Sequence, residues 1–163
     1  MKEFISGGVS GAITDPDSKD ALRHAAQFYE ELRHSNSDVQ KIADNTGFTV
    51  EQIAHIKAYL FVDKHPLENG YKEFDPCFEI AESWRRLAYD KNKIQRHDIT
   101  LLNHELMEMK LIFDGLSQSV AHSLTEKKYN YQQESRDFYA TLKTRHNDYS
   151  QGLCSSIGGE HND

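Results

Sequence analysis

The chain has 163 residues, with 19 basic and 26 acidic side chains and nine histidines, a formal net charge of −7 at pH 7. That length suits one domain with a single core, and cations scattered among carboxylates speak against a protein that grips duplex DNA by its phosphates. No run approaches the ~18 apolar residues of a membrane span, the N-terminus lacks the apolar stretch of a secretory signal, and two cysteines, Cys77 and Cys154, cannot build a disulfide framework or a four-cysteine zinc site. Few glycines and prolines beside plentiful Leu, Ala, Glu, Lys and Gln predict an all-α fold. Residues 1–14 hold Gly7, Gly8 and Gly11 without periodicity and read as a flexible arm.

A helical domain is expected over 15–147. Its first helix spans about Ser18 to Leu32, with Leu22, Ala25, Ala26, Tyr29 and Leu32 on the inner stripe. A second starts after Ser37 and stops near Asn45, with Gly47 as the left-handed C′ residue. A third opens at Thr49, where Gln52 completes a capping box, and buries Ile53, Ala54, Ile56 and Leu60. Together, residues 37–62 read as a helix–turn–helix-like pair. With Asp63 included, Lys41 and Lys57 stand against Asp38, Asp44, Glu51 and Asp63, so the pair is acidic and specific duplex DNA binding is not expected.

A loop at 64–74 is the one place where a strand is expected. The fourth helix should open with Asp75 as N-cap and Pro76 at the first helical position, leaving Cys77 in the first turn, where the macrodipole lowers a thiol pKa. Its inner stripe is Ile80, Ala81, Trp84, Leu87 and Ala88, with Glu82 and Arg86 as a surface pair. The helix from Ile99 to Phe113, capped by Asp98 and stopped at Gly115, is apolar on two sides and is therefore expected at the centre. Ser117 caps a sixth helix with Val120 and Leu124 inward, and a seventh runs from about Gln132 to Arg145. The expected architecture is thus one compact domain of six or seven helices, with a disordered tail at 148–163.

The segment HDITLLNHELME, residues 97–108, is the leading candidate for chemistry. His104 and Glu108 are four apart and share one helical face, Glu105 sits about 100° round the axis, and His97 lies seven residues ahead of His104. Imidazole with carboxylate moves protons near neutral pH or holds a divalent metal, and for a metal the pair His104 and Glu108 are the candidate ligands. A zincin needs His-Glu-x-x-His, and here the fifth residue is Glu108, so that motif is broken at a ligand position. The plain structural alternative is a buried His–Glu hydrogen bond that orders the core. His122 is a further base or ligand if another helix covers it, and otherwise belongs to a solvated face. Arg85, in the pair Arg85-Arg86 beside Trp84, suits a phosphate or carboxylate. There is no Gly-rich phosphate loop and no G-x-S-x-G element.

The stretch from Lys41 to Tyr131, through IADNTGFTVEQIAHIKAYLF, FDPCFEIAESWRRL, HDITLLNHELME and AHSLTEKKYNY, resembles a small helical domain at the ends of phage Mu F-type head-morphogenesis proteins and of Rhs-like polymorphic toxins. The residues that match its motifs are Trp84, Arg85, Arg86, His97, Asp98, His104, Glu105, Glu108, His122, Tyr129 and Asn130. The resemblance implies a toxin-like effector of phage or prophage origin, working in a bacterial host's cytoplasm or carried with the virion. A chain that opens at Met1 without a delivery portion fits either a domain cut from a longer protein or an independent one. Two readings of function stay open. One is a hydrolase, nuclease-type or metal-assisted, with His104, Glu105, Glu108, His122 and Arg85 as its catalytic set and a host protein, small-molecule or nucleic-acid substrate. The other is an acidic binding protein that occupies a host protein, or a virion accessory module.

Overall fold

The structure, a computed structural model, describes the backbone of residues 13–155 and the side chains of residues 13–145. Residues 1–12 of the expected arm and 156–163 of the expected tail lie outside the described residues. Seven α-helices follow in order: α1 Lys19–Arg33, α2 Ser37–Thr46, α3 Val50–Lys57, α4 Phe78–Tyr89, α5 Arg96–Phe113, α6 Gln118–Lys128 and α7 Tyr131–Ser155. A π-helical turn, Ala58–Val62, carries α3 into a short antiparallel hairpin, β1 His65–Leu67 and β2 Gly70–Lys72, with Leu67 opposite Gly70. The fold is all-α, and its only described strands fall in the 64–74 loop, as expected. Among the described residues no helix is long and apolar enough to cross a membrane.

Local chemistry sets most helix ends. The Ser18 hydroxyl accepts from Ala21 N at 3.1 Å, and Thr49 and Gln52 close their capping box with two bonds of 3.0 Å. Gly47, at φ 81°, occupies the left-handed conformation that ends α2, where a side chain would be strained. Two starts differ from expectation. Asp75 pairs with Lys72 of the hairpin and residues 73–77 stay non-helical, so α4 begins at Phe78 with Cys77 in the cap position. Asp98 is not the cap of α5; it lies one turn inside and accepts from the backbone N–H of Gln95, the true N-cap, at 2.8 Å. The last helix runs on to Ser155, past the expected start of the tail at residue 148.

The core gathers Phe28, Tyr29, Leu32, Ile42, Ile53, Ile56, Phe61, Phe78, Trp84 and Leu87. Burying each such side chain contributes about 1.5–3 kcal/mol. Several expected inner residues face outward instead: Leu22 is 50% exposed, Ala26 and Ala54 are exposed, and so are Val120 and Leu124. The inward stripes are Ala21, Ala25, Phe28, Tyr29 and Leu32 on α1 and Ala121 with Thr125 on α6. Small residues turn inward here because the neighbouring helices pack closely. The expected central helix α5 does pack against α3, α4, α6 and α7, but its end runs free, with Phe113 91% exposed. The most enclosed helix is α4, whose charged residues Glu79, Glu82, Arg85 and Arg86 are all buried.

Buried charges need partners, and those of α2 to α4 find them. Asp38, fully enclosed, accepts from the Lys57 ammonium and from the Trp84 indole N–H, both at 2.8 Å. Lys57 also donates to the Ser35 carbonyl. The Glu82–Arg86 surface pair does not form. Arg86 instead grips Asp98 with two bonds of 2.8 Å, while Glu82 takes His24 at 2.8 Å and Arg85 at 3.1 Å. These pairs tie α2 to α3 and α4, α4 to α5, and α1 to α4.

Candidate functional site

The helical spacing of α5 puts His104 and Glu108 on one face, and the turn at Gly115 folds α6 back along it. His104 Nε2 lies 3.1 Å from Glu108 Oε2, and His122 Nδ1, from α6, lies 3.4 Å from that same oxygen. The two imidazole rings meet edge-on with centroids 5.1 Å apart. The other carboxylate oxygen, Oε1, accepts from the Tyr59 hydroxyl at 3.1 Å and from the Gln118 amide at 3.0 Å. His104 Nδ1 faces the Tyr129 carbonyl oxygen at 2.8 Å. A carbonyl only accepts, so Nδ1 carries the proton of that bond. His104, Glu105 and Glu108 are buried, whereas the His122 side chain is 45% exposed. The cluster therefore has an inner wall and one open side.

Electrostatics follow from that placement. Burial pulls the His104 imidazole down, but its hydrogen bonds to Glu108 and to the Tyr129 carbonyl, with the charges of Glu105 and Glu108, outweigh it, so its pKa is raised. Burial pushes the Glu108 carboxyl up, yet hydrogen bonds from His104 and Gln118 and the nearby imidazole of His122 hold it below the usual carboxylate range. Glu105 is pushed up to about 8, first by burial and then by the Glu108 charge, with His104 offsetting part. Two adjacent carboxylates thus differ: Glu108 is ionised at neutral pH and Glu105 is a neutral acid. A separation of this kind marks assigned acid and base roles in working sites.

The structure joins His104, Glu108 and His122, and leaves two expected members elsewhere. Arg85 reaches Glu82 and Asp90, at 3.1 and 3.3 Å, and takes no part in the cluster's hydrogen bonds. His97 sits against Arg86 Nη2 at 3.1 Å and the rings of Tyr131 and Phe138, away from the His104 face. His122 falls between its two alternatives: α5 covers one side of it and the other side stays open. Cys77 departs as well: burial first of all pushes its thiol up, against the lowering expected from a helical first turn. Two members were missed from the sequence, Tyr59 and Gln118. Tyr59 depends on the π-helical turn, which gives the chain an extra residue per turn and brings its hydroxyl to Glu108. His65 and Phe74 then hold the Tyr59 ring edge-on, at 4.7 and 5.5 Å between centroids. Such π turns recur at functional sites.

Comparison with known proteins adds no relative: no family model matches the chain, and no curated protein or solved structure matches it significantly.

Proposed function

We propose that this helical domain is a toxin-like effector of hydrolase type, with the His104–Glu108–His122 cluster as its working site. The observation that carries the reading is one buried, ionised carboxylate that holds two imidazoles on a single oxygen, one of them half-open to solvent. In this reading the cluster takes a proton from a water at the open side of His122, and the resulting hydroxide oxygen bonds to the electrophilic carbon or phosphorus of the substrate. The scissile bond breaks and its leaving group receives a proton, so water is added across it. His104 and Glu108 hold the charge of the site, and Tyr59 and Gln118 fix the Glu108 carboxylate. Glu105, neutral and buried, has no part in this step beyond its electrostatic coupling to Glu108. Because Arg85 is spent on Glu82 and Asp90, no arginine of the expected set serves a phosphoryl transition state, which favours peptide or ester bonds over nucleic acid.

The test is turnover of a panel of peptide, ester and oligoribonucleotide substrates, read beside growth of bacteria expressing the chain. His122→Ala and Glu108→Gln should each abolish turnover and growth arrest, while His122→Ala melts near the wild type. Unchanged growth arrest in both variants would reject the reading. A second reading, a binding module, draws on the exposed apolar residues Phe113, Leu116, Val120 and Leu124 around the α5–α6 turn. Growth arrest lost in Val120→Lys and kept in His122→Ala would favour it.

A further inference from the structure

We propose that His104 Nε2, Glu108 Oε2 and His122 Nδ1 are the three protein ligands of a divalent transition-metal ion of the zinc type. This rests on the reading of the cluster as the working site and names its cofactor. The first argument is donor and acceptor bookkeeping. The Tyr129 carbonyl holds one proton on His104 Nδ1, so the proton that Nε2 donates to Glu108 Oε2 is the one a metal ion would displace. His122 Nδ1 turns toward the same oxygen. With that proton released, three ligand atoms converge, and the other carboxylate oxygen is already filled by Tyr59 and Gln118. A single dication satisfies all three at once.

The second argument is distance. With metal–ligand bonds of about 2.05 Å, the ligand atoms of a tetrahedral zinc site lie about 3.3 Å apart. Two of the separations are 3.1 and 3.4 Å, and all three atoms lie within 4.8 Å of one another. A small rotation of the half-exposed His122 closes the remaining gap. The third argument is the support around the ligands. A metal-bound histidine typically donates its other N–H to a carbonyl, and a ligating carboxylate is itself hydrogen-bonded, as Tyr129, Tyr59 and Gln118 provide here. Two imidazoles and a carboxylate suit zinc better than magnesium or calcium, which prefer oxygen throughout. The open side of His122 leaves the fourth position to water, as a catalytic rather than a structural zinc site requires.

The experiment uses the untagged full chain, stripped with a chelator. It is titrated with zinc alone by calorimetry and with cobalt alone by visible absorption. Expected is one zinc per chain and the intense absorption of low-coordinate cobalt, with magnesium unable to compete. His122→Ala should stay folded by circular dichroism and lose at least about 100-fold in zinc affinity. Gln118→Ala should keep the stoichiometry and lose about tenfold. If His104→Ala does not fold, these two half-buried positions still decide the matter. No saturable zinc binding by the wild type, or undiminished affinity in His122→Ala, overturns the metal site. Zinc held by these residues without turnover of any panel substrate upholds the metal site and rejects the hydrolase. Turnover by stripped protein that binds no zinc does the reverse.

Discussion

Replacing Asp38 by alanine should be among the most damaging single changes in this fold. Its carboxylate is fully enclosed and is the anchor for two donors, the Lys57 ammonium and the Trp84 indole N–H, each at 2.8 Å. Asp38→Ala leaves a buried ammonium without its counter-charge, which costs about 3–5 kcal/mol. It also orphans the indole N–H, at about 1–3 kcal/mol. Lys57 keeps the Ser35 carbonyl and a sliver of solvent access, so the sum should fall at the lower end, about 4–5 kcal/mol. A domain of ordinary stability holds about 5–15 kcal/mol in all, so the variant should be barely folded at room temperature. The assay is urea denaturation followed by Trp84 fluorescence, with Asp38→Leu/Lys57→Met as the companion. The double variant removes both charges and should recover most of the loss, because an apolar pair of similar volume often replaces a buried ion pair without penalty. A loss below about 1 kcal/mol in Asp38→Ala would refute the reasoning, since an orphaned buried charge cannot be that cheap.

Burial, with the Arg86 charge, lowers the His97 pKa against the pull of Asp98 and Glu134, so the unfolded chain takes up the proton first and His97 contributes stability above pH 6.5 that is lost as pH falls. Melting curves from pH 7 to pH 5 should therefore fall less steeply for His97→Asn than for the wild type, and parallel slopes would count against a buried neutral imidazole. Gly47→Ala should cost about 1–2 kcal/mol, the strain of a Cβ in the left-handed conformation, and Gly47→Asn less, read by thermal melting; equal melting of all three would contradict the role of this turn. The α2–α3 pair should not shift duplex DNA on a gel even at low salt, because Lys57 is spent on Asp38 and Lys41 lies over the Tyr89 ring. Salt-sensitive retardation abolished by Lys41→Glu would overturn that.

Helix ends were readable where one or two neighbouring residues decide them, as at Ser18, Gly47, Thr49 with Gln52, and Ser117. The inner faces were less so. Leu22, Val120 and Leu124 are apolar enough to suggest an inner stripe, yet the closeness of the neighbouring helices favoured Ala21, Ala25 and Ala121 inside. Buried charges were harder still, because Asp38, Lys57, Glu82 and Arg86 go inside only in company with partners 12 to 58 residues away. The candidate site divides along the same line. His104 and Glu108 are one helical turn apart and could be read directly. His122 needed the α5–α6 turn, and Tyr59 needed a π turn that no local pattern of residues announces.

In the proposed reading Glu108 gathers His104 and His122 into a site open for chemistry rather than a sealed core contact. Side-chain nitrogen NMR of the histidines, recorded at neutral pH before and after one equivalent of zinc, tests this most directly. Expected is that His104 Nε2 and His122 Nδ1 move together to metal-bound shifts, with His104 keeping its proton on Nδ1, while His24, His65 and His97 stay where they were. Zinc that moves His24, His65 or His97 and leaves His104 and His122 untouched would contradict it.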